Sequence, residues 1–167
     1  MVASIDDLSA TSRVWVYNID RLLSESEIQS LNHDLNRFLK DWTAHSDKLK
    51  AACKIRFLRH IVIMVDENIA SASGCSIDAS VRFINKLGQH YSFDAFDRLN
   101  YTYLSGGDPI IISHYDLQEA YDNQVIADDT QFVNPLVKSK AEYQNDFLVP
   151  LKNSFLNRFI DNLAPKK

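Results

Sequence analysis

The spacing of apolar positions changes period along this chain, and the changes mark out its elements. Arg13–Asn18, RVWVYN, alternates β-branched and aromatic residues, which predicts a strand. From Ser24 the period lengthens. Ile28, Leu31, Leu35, Phe38, Leu39 and Trp42 recur at helical spacing, and Ser24 with Glu27 three places on forms a capping box. The run KAACKIRFLRHIVIMVDE is too long and too β-branched for one strand, so it splits into a hairpin around Leu58-Arg59-His60. Its second arm, Ile61–Val65, is apolar at every position, as a central strand buried on both faces should be. A second helix is expected from Ile77 to about His90, with Ile77, Val81, Ile84, Leu87 and Tyr91 on one face. RLNYTYLSGGDPIIIS then reads as two strands joined at Gly106-Gly107. Ser113 and Asp116 suggest a further capping box, opening a short helix to about Asp122.

The resulting order is β-α-β-β-α-β followed by β-α. That order predicts an α+β protein with a ferredoxin-like βαββαβ core, an antiparallel sheet with both helices on one face. The core and its added hairpin strand and helix would span residues 1–124. Residues 125–167 would form a C-terminal β-α extension packed on that core as part of one structural unit. Within the extension a last helix is expected from Pro150 to Leu163, and Ala164-Pro165-Lys166-Lys167 reads as a frayed tail. The central strands one and three are expected side by side and parallel, each running into its helix at the same edge of the sheet.

Composition narrows the class. At 167 residues with 46% hydrophobic and 24% charged positions, the chain can build a core without disulfides or a metal. A net charge of −4 argues against a phosphate-backbone partner, so no nucleic acid is expected. The polar, acidic start lacks the pattern of a signal peptide, and no apolar run reaches the ~18 residues of a membrane span. The two cysteines, Cys53 and Cys75, form no CxxC pair and no zinc-like spacing. A soluble cytoplasmic protein with reduced thiols, no cofactor and no membrane insertion is the expectation.

Chemistry is sought first at SASGCSIDASVRF, between the apolar strand and the second helix. Cys75 or Ser76 would take the N-cap there, with Asp78 in the first turn. A helix start offers free N–H groups and partial positive charge, which favour an anion or a thiolate. Gly74, Cys75, Ser76 and Asp78 are therefore candidate binding residues, and Trp42 at the end of the first helix is a further one. Cys75 is the candidate nucleophile and His45 its candidate base; capping and packing explain the same residues more simply. If two helix starts share one sheet edge, Asp20, Asp66, Glu67 and Asp78 gather there as candidate ligands of a hard divalent metal. LSGGD, at Leu104–Asp108, is similar to the LSGGQ signature of ABC-transporter ATPases. The apolar strand that follows makes it a hairpin turn instead, and no phosphate-binding GxxxxGK[ST] loop exists in the chain.

Trp42–His45, Val65–Glu67, Ser73–Val81, Phe96–Tyr101 and Phe132–Tyr143 together resemble a small family of uncharacterised bacterial proteins that often carry the label "ABC transporter ATPase". The resemblance spans nearly the whole chain and implies no established activity. The expectation is a non-catalytic interaction or regulatory protein that binds a protein partner or forms a homo-oligomer. The rivals are a thiol-dependent or divalent-metal-dependent enzyme at the Asp66–Asp78 junction, and a component associated with an ABC transporter without ATPase activity of its own.

Overall fold

The computed structural model describes residues 2–161. Its elements are β1 (Arg13–Asn18), α1 (Glu25–Asp41), β2 (Thr43–Ala44), β3 (Asp47–Lys48), β4 (Ala51–Arg56), β5 (His60–Val65), α2 (Gly74–Tyr91), β6 (Asn100–Ser105), β7 (Asp108–Ser113), α3 (Leu117–Asp122), β8 (Gln131–Val133), α4 (Lys140–Asp146) and β9 (Leu148–Pro150). The chain is α+β, and its named sheets are antiparallel.

One sheet has the order β1-β5-β4, and β5 is buried along its whole length. Alternation explains why. Ile61, Ile63 and Val65 point to one face, where they meet Leu31, Leu35 and Leu39 of α1 and Ile84 and Leu87 of α2. Val62 and Met64 point to the other face, against Val133, Val137, Tyr143 and Phe147 of the C-terminal part. The extension is thus the second lid on the central strand.

A second sheet, β7-β6-β8-β9, carries its own cluster of Tyr103, Ile112, Leu117, Phe132, Leu151, Leu156 and Ile160. The β6–β7 turn uses Gly106 and Gly107, both at positive φ, as a tight two-residue hairpin requires.

Three expectations need correction. First, β1 runs antiparallel to β5, from Arg13↔Val65 to Asn18↔His60. The reason is topological: β4 returns parallel to β1 after α1, so the hairpin strand between them must oppose both. Second, β6 does not join the first sheet; it pairs with β7 and β8. Third, α2 begins earlier than expected. Ser73 is the N-cap, and Ser76 is its N3 partner in a capping box. Asp78 therefore lies outside the first turn. In the same way, Ser113 caps a short 3-10 turn at His114–Asp116 before α3, and Asp116 makes no side-chain cap. The expected terminal helix is a pair of 3-10 turns, Leu151–Asn153 and Phe155–Phe159. Leu163 and the Ala164–Lys167 tail lie outside the described residues.

Candidate functional site

The β4–β5 turn is the natural starting point, because it breaks two local rules. Phe57 and Leu58 take left-handed φ values of 50° and 59°, which cost free energy in residues with bulky side chains. The next residue, Arg59, is fully buried. Its guanidinium is met on every side. Nε donates to the Ile19 carbonyl at 2.6 Å, Nη1 to Thr102 Oγ1 at 3.1 Å, and Nη2 to Asp97 Oδ2 at 2.9 Å. Asn100 Nδ2 donates to the same carboxylate oxygen, and Leu99 N–H to the other. A buried charge persists only when it is paired and hydrogen-bonded in this way.

His60 extends the chain of bonds. Asn18 Nδ2 donates to the Asp97 carbonyl, which turns its Oδ1 toward His60 Nδ1 at 2.8 Å. That contact assigns the ring proton to Nδ1. Nε2 is then the acceptor, and Thr102 Oγ1 donates to it at 2.9 Å. Burial, reinforced by the Arg59 charge, pushes the His60 pKa down to about 3. The sign of the resulting pH dependence follows. The unfolded chain takes up the His60 proton near its ordinary pKa, and the folded chain does not. Stability from this site is therefore complete above pH ~6.5 and is lost as pH falls toward 3. Urea titrations at pH 7 and pH 5 should differ by roughly 2 kcal/mol from this site. His60→Gln should flatten that part of the slope; an unchanged slope would show that His60 does not carry it.

Above this polar floor lies a cleft of about 430 Å³ between β1 and the second sheet. Tyr101, Phe155, Phe159, Val16, Val133 and Leu136 supply its apolar walls. Two arginines line it. Arg158 lies over the Phe159 ring at 4.8 Å, and neither Arg98 nor Arg158 forms an ion pair among the described residues. The acid that lines the cleft, Asp97, is already matched to Arg59. The free charge of the cleft is therefore positive.

The residues singled out by sequence lie elsewhere, and the antiparallel β1–β5 pairing separates them. Asp66 and Glu67 follow the end of β5 that pairs with Arg13, and Asp20 follows the opposite end of β1. The strand puts roughly 17 Å between those ends. Asp66 is buried and committed, accepting from Ser9 N–H and Asn68 N–H at 3.3 Å with Lys50 Nζ at 3.7 Å. Glu67 accepts from Ala72 N–H, and Asp20 from Asp94 N–H. Asp78 is exposed. Among the described residues no cluster of three or more His, Cys, Asp or Glu side chains could hold a metal ion.

The α2 junction is resolved in similar detail. Ser73 and Ser76 bond one another, and Gly74 and Cys75 are exposed on the first turn. Trp42 is buried, and its indole N–H donates to the Ser76 carbonyl at 2.9 Å, so it anchors α2 rather than offering an edge. His45 sits at φ 51° in the exposed β2–β3 turn, and no hydrogen bond joins it to Cys75. The other thiol, Cys53, is half-buried, and desolvation pushes its pKa up to about 11. At pH 8 an aromatic disulfide reagent should label Cys75 promptly and Cys53 at least tenfold more slowly, because so little of Cys53 is thiolate. Cys75→Ser should remove the fast phase, and a persisting fast phase would place the reactive thiol at Cys53.

Sequence reasoning missed Arg59, His60, Asp97, Thr102 and Asn18. A signal was present: an Arg-His pair interrupts the most apolar run of the chain, where a charge must find partners. The comparisons with known proteins add no relative: no family model, no curated protein and no solved structure matches the chain. Among the described residues, no helix is long and apolar enough to cross a membrane.

Proposed function

We propose that this is a non-catalytic interaction or regulatory protein that works by taking a ligand or partner segment into the cleft between its two sheets. One observation carries the reading: the polar floor of the cleft is already fully bonded. His60 uses both ring nitrogens, and its pKa of about 3 keeps it from acting as a base near neutral pH. Asp97 is held by Arg59 and Asn100. What the cleft still offers is shape, aromatic surface and two unmatched arginines, which is the equipment of recognition. On this reading the first sheet and its two helices are a split βαβ unit of the ferredoxin-like kind. The cleft then lies along β1 where a fourth strand would pair.

A fragment screen followed by amide chemical shifts tests this directly. Shifts should concentrate at Val16, Arg98, Tyr101, Leu136 and Phe159. Fragments that bind only at the α2 start, or none at all, would sink the reading. So would turnover of ester or phosphodiester reporters that Cys75→Ser or Asp66→Asn abolishes.

A further inference from the structure

The free edge of β1 is closed at both ends and open in the middle. Val14 N–H donates to the Lys138 carbonyl at 3.0 Å, and the Asn18 carbonyl accepts from Asp97 N–H at 3.1 Å. Arg13 bridges Ser139 at one end and Asn18 bridges Phe96 at the other. Strand alternation then fixes the residue between them. Since Val14 turns its N–H away from β5, so does Val16, two places on. Val16 lines the cleft, and no partner for its outward N–H or C=O is found among the described residues. The open stretch from Val14 to Asn18 spans roughly 13 Å. At Val16 it offers an extended chain one donor and one acceptor, in the same cleft as the aromatic side chains of Tyr101, Phe155 and Phe159, and the acid in the lining, Asp97, is paired with Arg59.

Resting on the proposed binding role, we infer that the cleft takes the free C-terminal end of a partner polypeptide. The last residues add to β1 at Val16, and the terminal carboxylate meets Arg98 and Arg158. Three features select this occupant. The unpaired backbone groups call for an amide partner, as in strand addition to a sheet edge. Loops 94–97 and 138–140 block both ends of the edge, so a strand cannot run through and a chain end fits instead. Among the described residues the two arginines have no counter-charge in the cleft, and a guanidinium matches a carboxylate in geometry as well as sign. An N-terminal end would bring a positive charge to the same place. The volume of about 430 Å³ holds a few residues, and an apolar side chain of the ligand would rest on Phe155, Phe159 and Leu136.

The test uses fluorescently labelled random hexapeptides with free C-termini, the same set C-terminally amidated, and the full chain, read by anisotropy. Free-acid peptides should bind, and amidation should weaken the best of them at least tenfold. The double variant Arg98→Ala/Arg158→Ala should cost a similar factor. Val16→Pro removes the outward N–H and should weaken binding about fivefold or more; proline is tolerated on an edge strand whose N–H faces outward. If that variant does not fold, peptides with an ester in place of the last amide lack the N–H that would donate to the Val16 carbonyl, and so test the other backbone bond of the pair on the unaltered protein. Equal binding of acid and amide overturns the inference. Binding that ignores Val16→Pro and the ester, and that inorganic phosphate fully displaces, overturns it in favour of a small-anion site. An absence of peptide binding also overturns it, and shifts from the fragment screen in the same cleft would leave the broader reading standing.

Discussion

Arg59→Met should destabilise the fold by about 3–5 kcal/mol, on the order of 10 °C in Tm for a chain of this size. The magnitude comes from what is left behind rather than from the bond removed. Asp97 would remain nearly buried with its charge uncompensated, and the Ile19 carbonyl and Thr102 hydroxyl would each lose a donor. An unpaired buried carboxylate is far costlier than an unmade surface pair. The left-handed turn at Phe57-Leu58 adds to the effect, because its strain is tolerated while Arg59 is drawn inward. Asp97→Asn should cost less, since an amide still accepts from Arg59. The double variant Arg59→Met/Asp97→Leu should recover part of the loss, because removing both charges leaves no orphan. A loss under about 1 kcal/mol for Arg59→Met, measured by urea denaturation, would mean that the network does not hold the two sheets together.

The sequence made much of the architecture legible where the local signal and the tertiary outcome agree. β1, α1 with its Ser24–Glu27 box, the hairpin around Leu58–His60, and the Gly106-Gly107 turn all stand where periodicity and turn chemistry put them. Strand direction is not legible in this way, and the expected carboxylate cluster fails with it. Nothing in a single strand says which way its neighbour runs, and one reversed neighbour moved Asp20 to the opposite end of the sheet from Asp66. The destination of β6 was equally invisible, because the same alternating NYTYLS serves either sheet. The junction at Ser73–Asp78 drew attention through capping residues that cap one another. The cleft drew none, since its parts come from residues as distant as Val16, Arg98 and Phe159. His60 looked like an ordinary histidine because only burial reveals its role. Arg59 was the one loud local inconsistency, a charge at the mouth of an apolar run. Such a conflict between local pattern and environment marks a network or a site before it marks an error.

Phe132→Ala should cost about 3–5 kcal/mol and should do so in one cooperative transition. Phe132 is fully buried in β8, a three-residue strand whose side chains reach the cores of both sheets. Its ring lies 5.7 Å from that of Tyr103 and fills the second-sheet cluster with Leu117, Leu151 and Leu156. The next side chain, Val133, points the other way and packs under Val62 and Met64 on the far face of the first sheet. The two-residue period of one short strand thus stitches two cores. Removing the ring leaves a cavity in one core, and it loosens the backbone that positions Val133 in the other. If the C-terminal extension and the first sheet form one unit, far-UV and tryptophan signals should shift together, since Trp15 and Trp42 report on the helical face of the first sheet. Two separated transitions, with the tryptophan signal at its original midpoint, would show instead that the second sheet unfolds alone. The cleft would then be a junction between two independently stable halves.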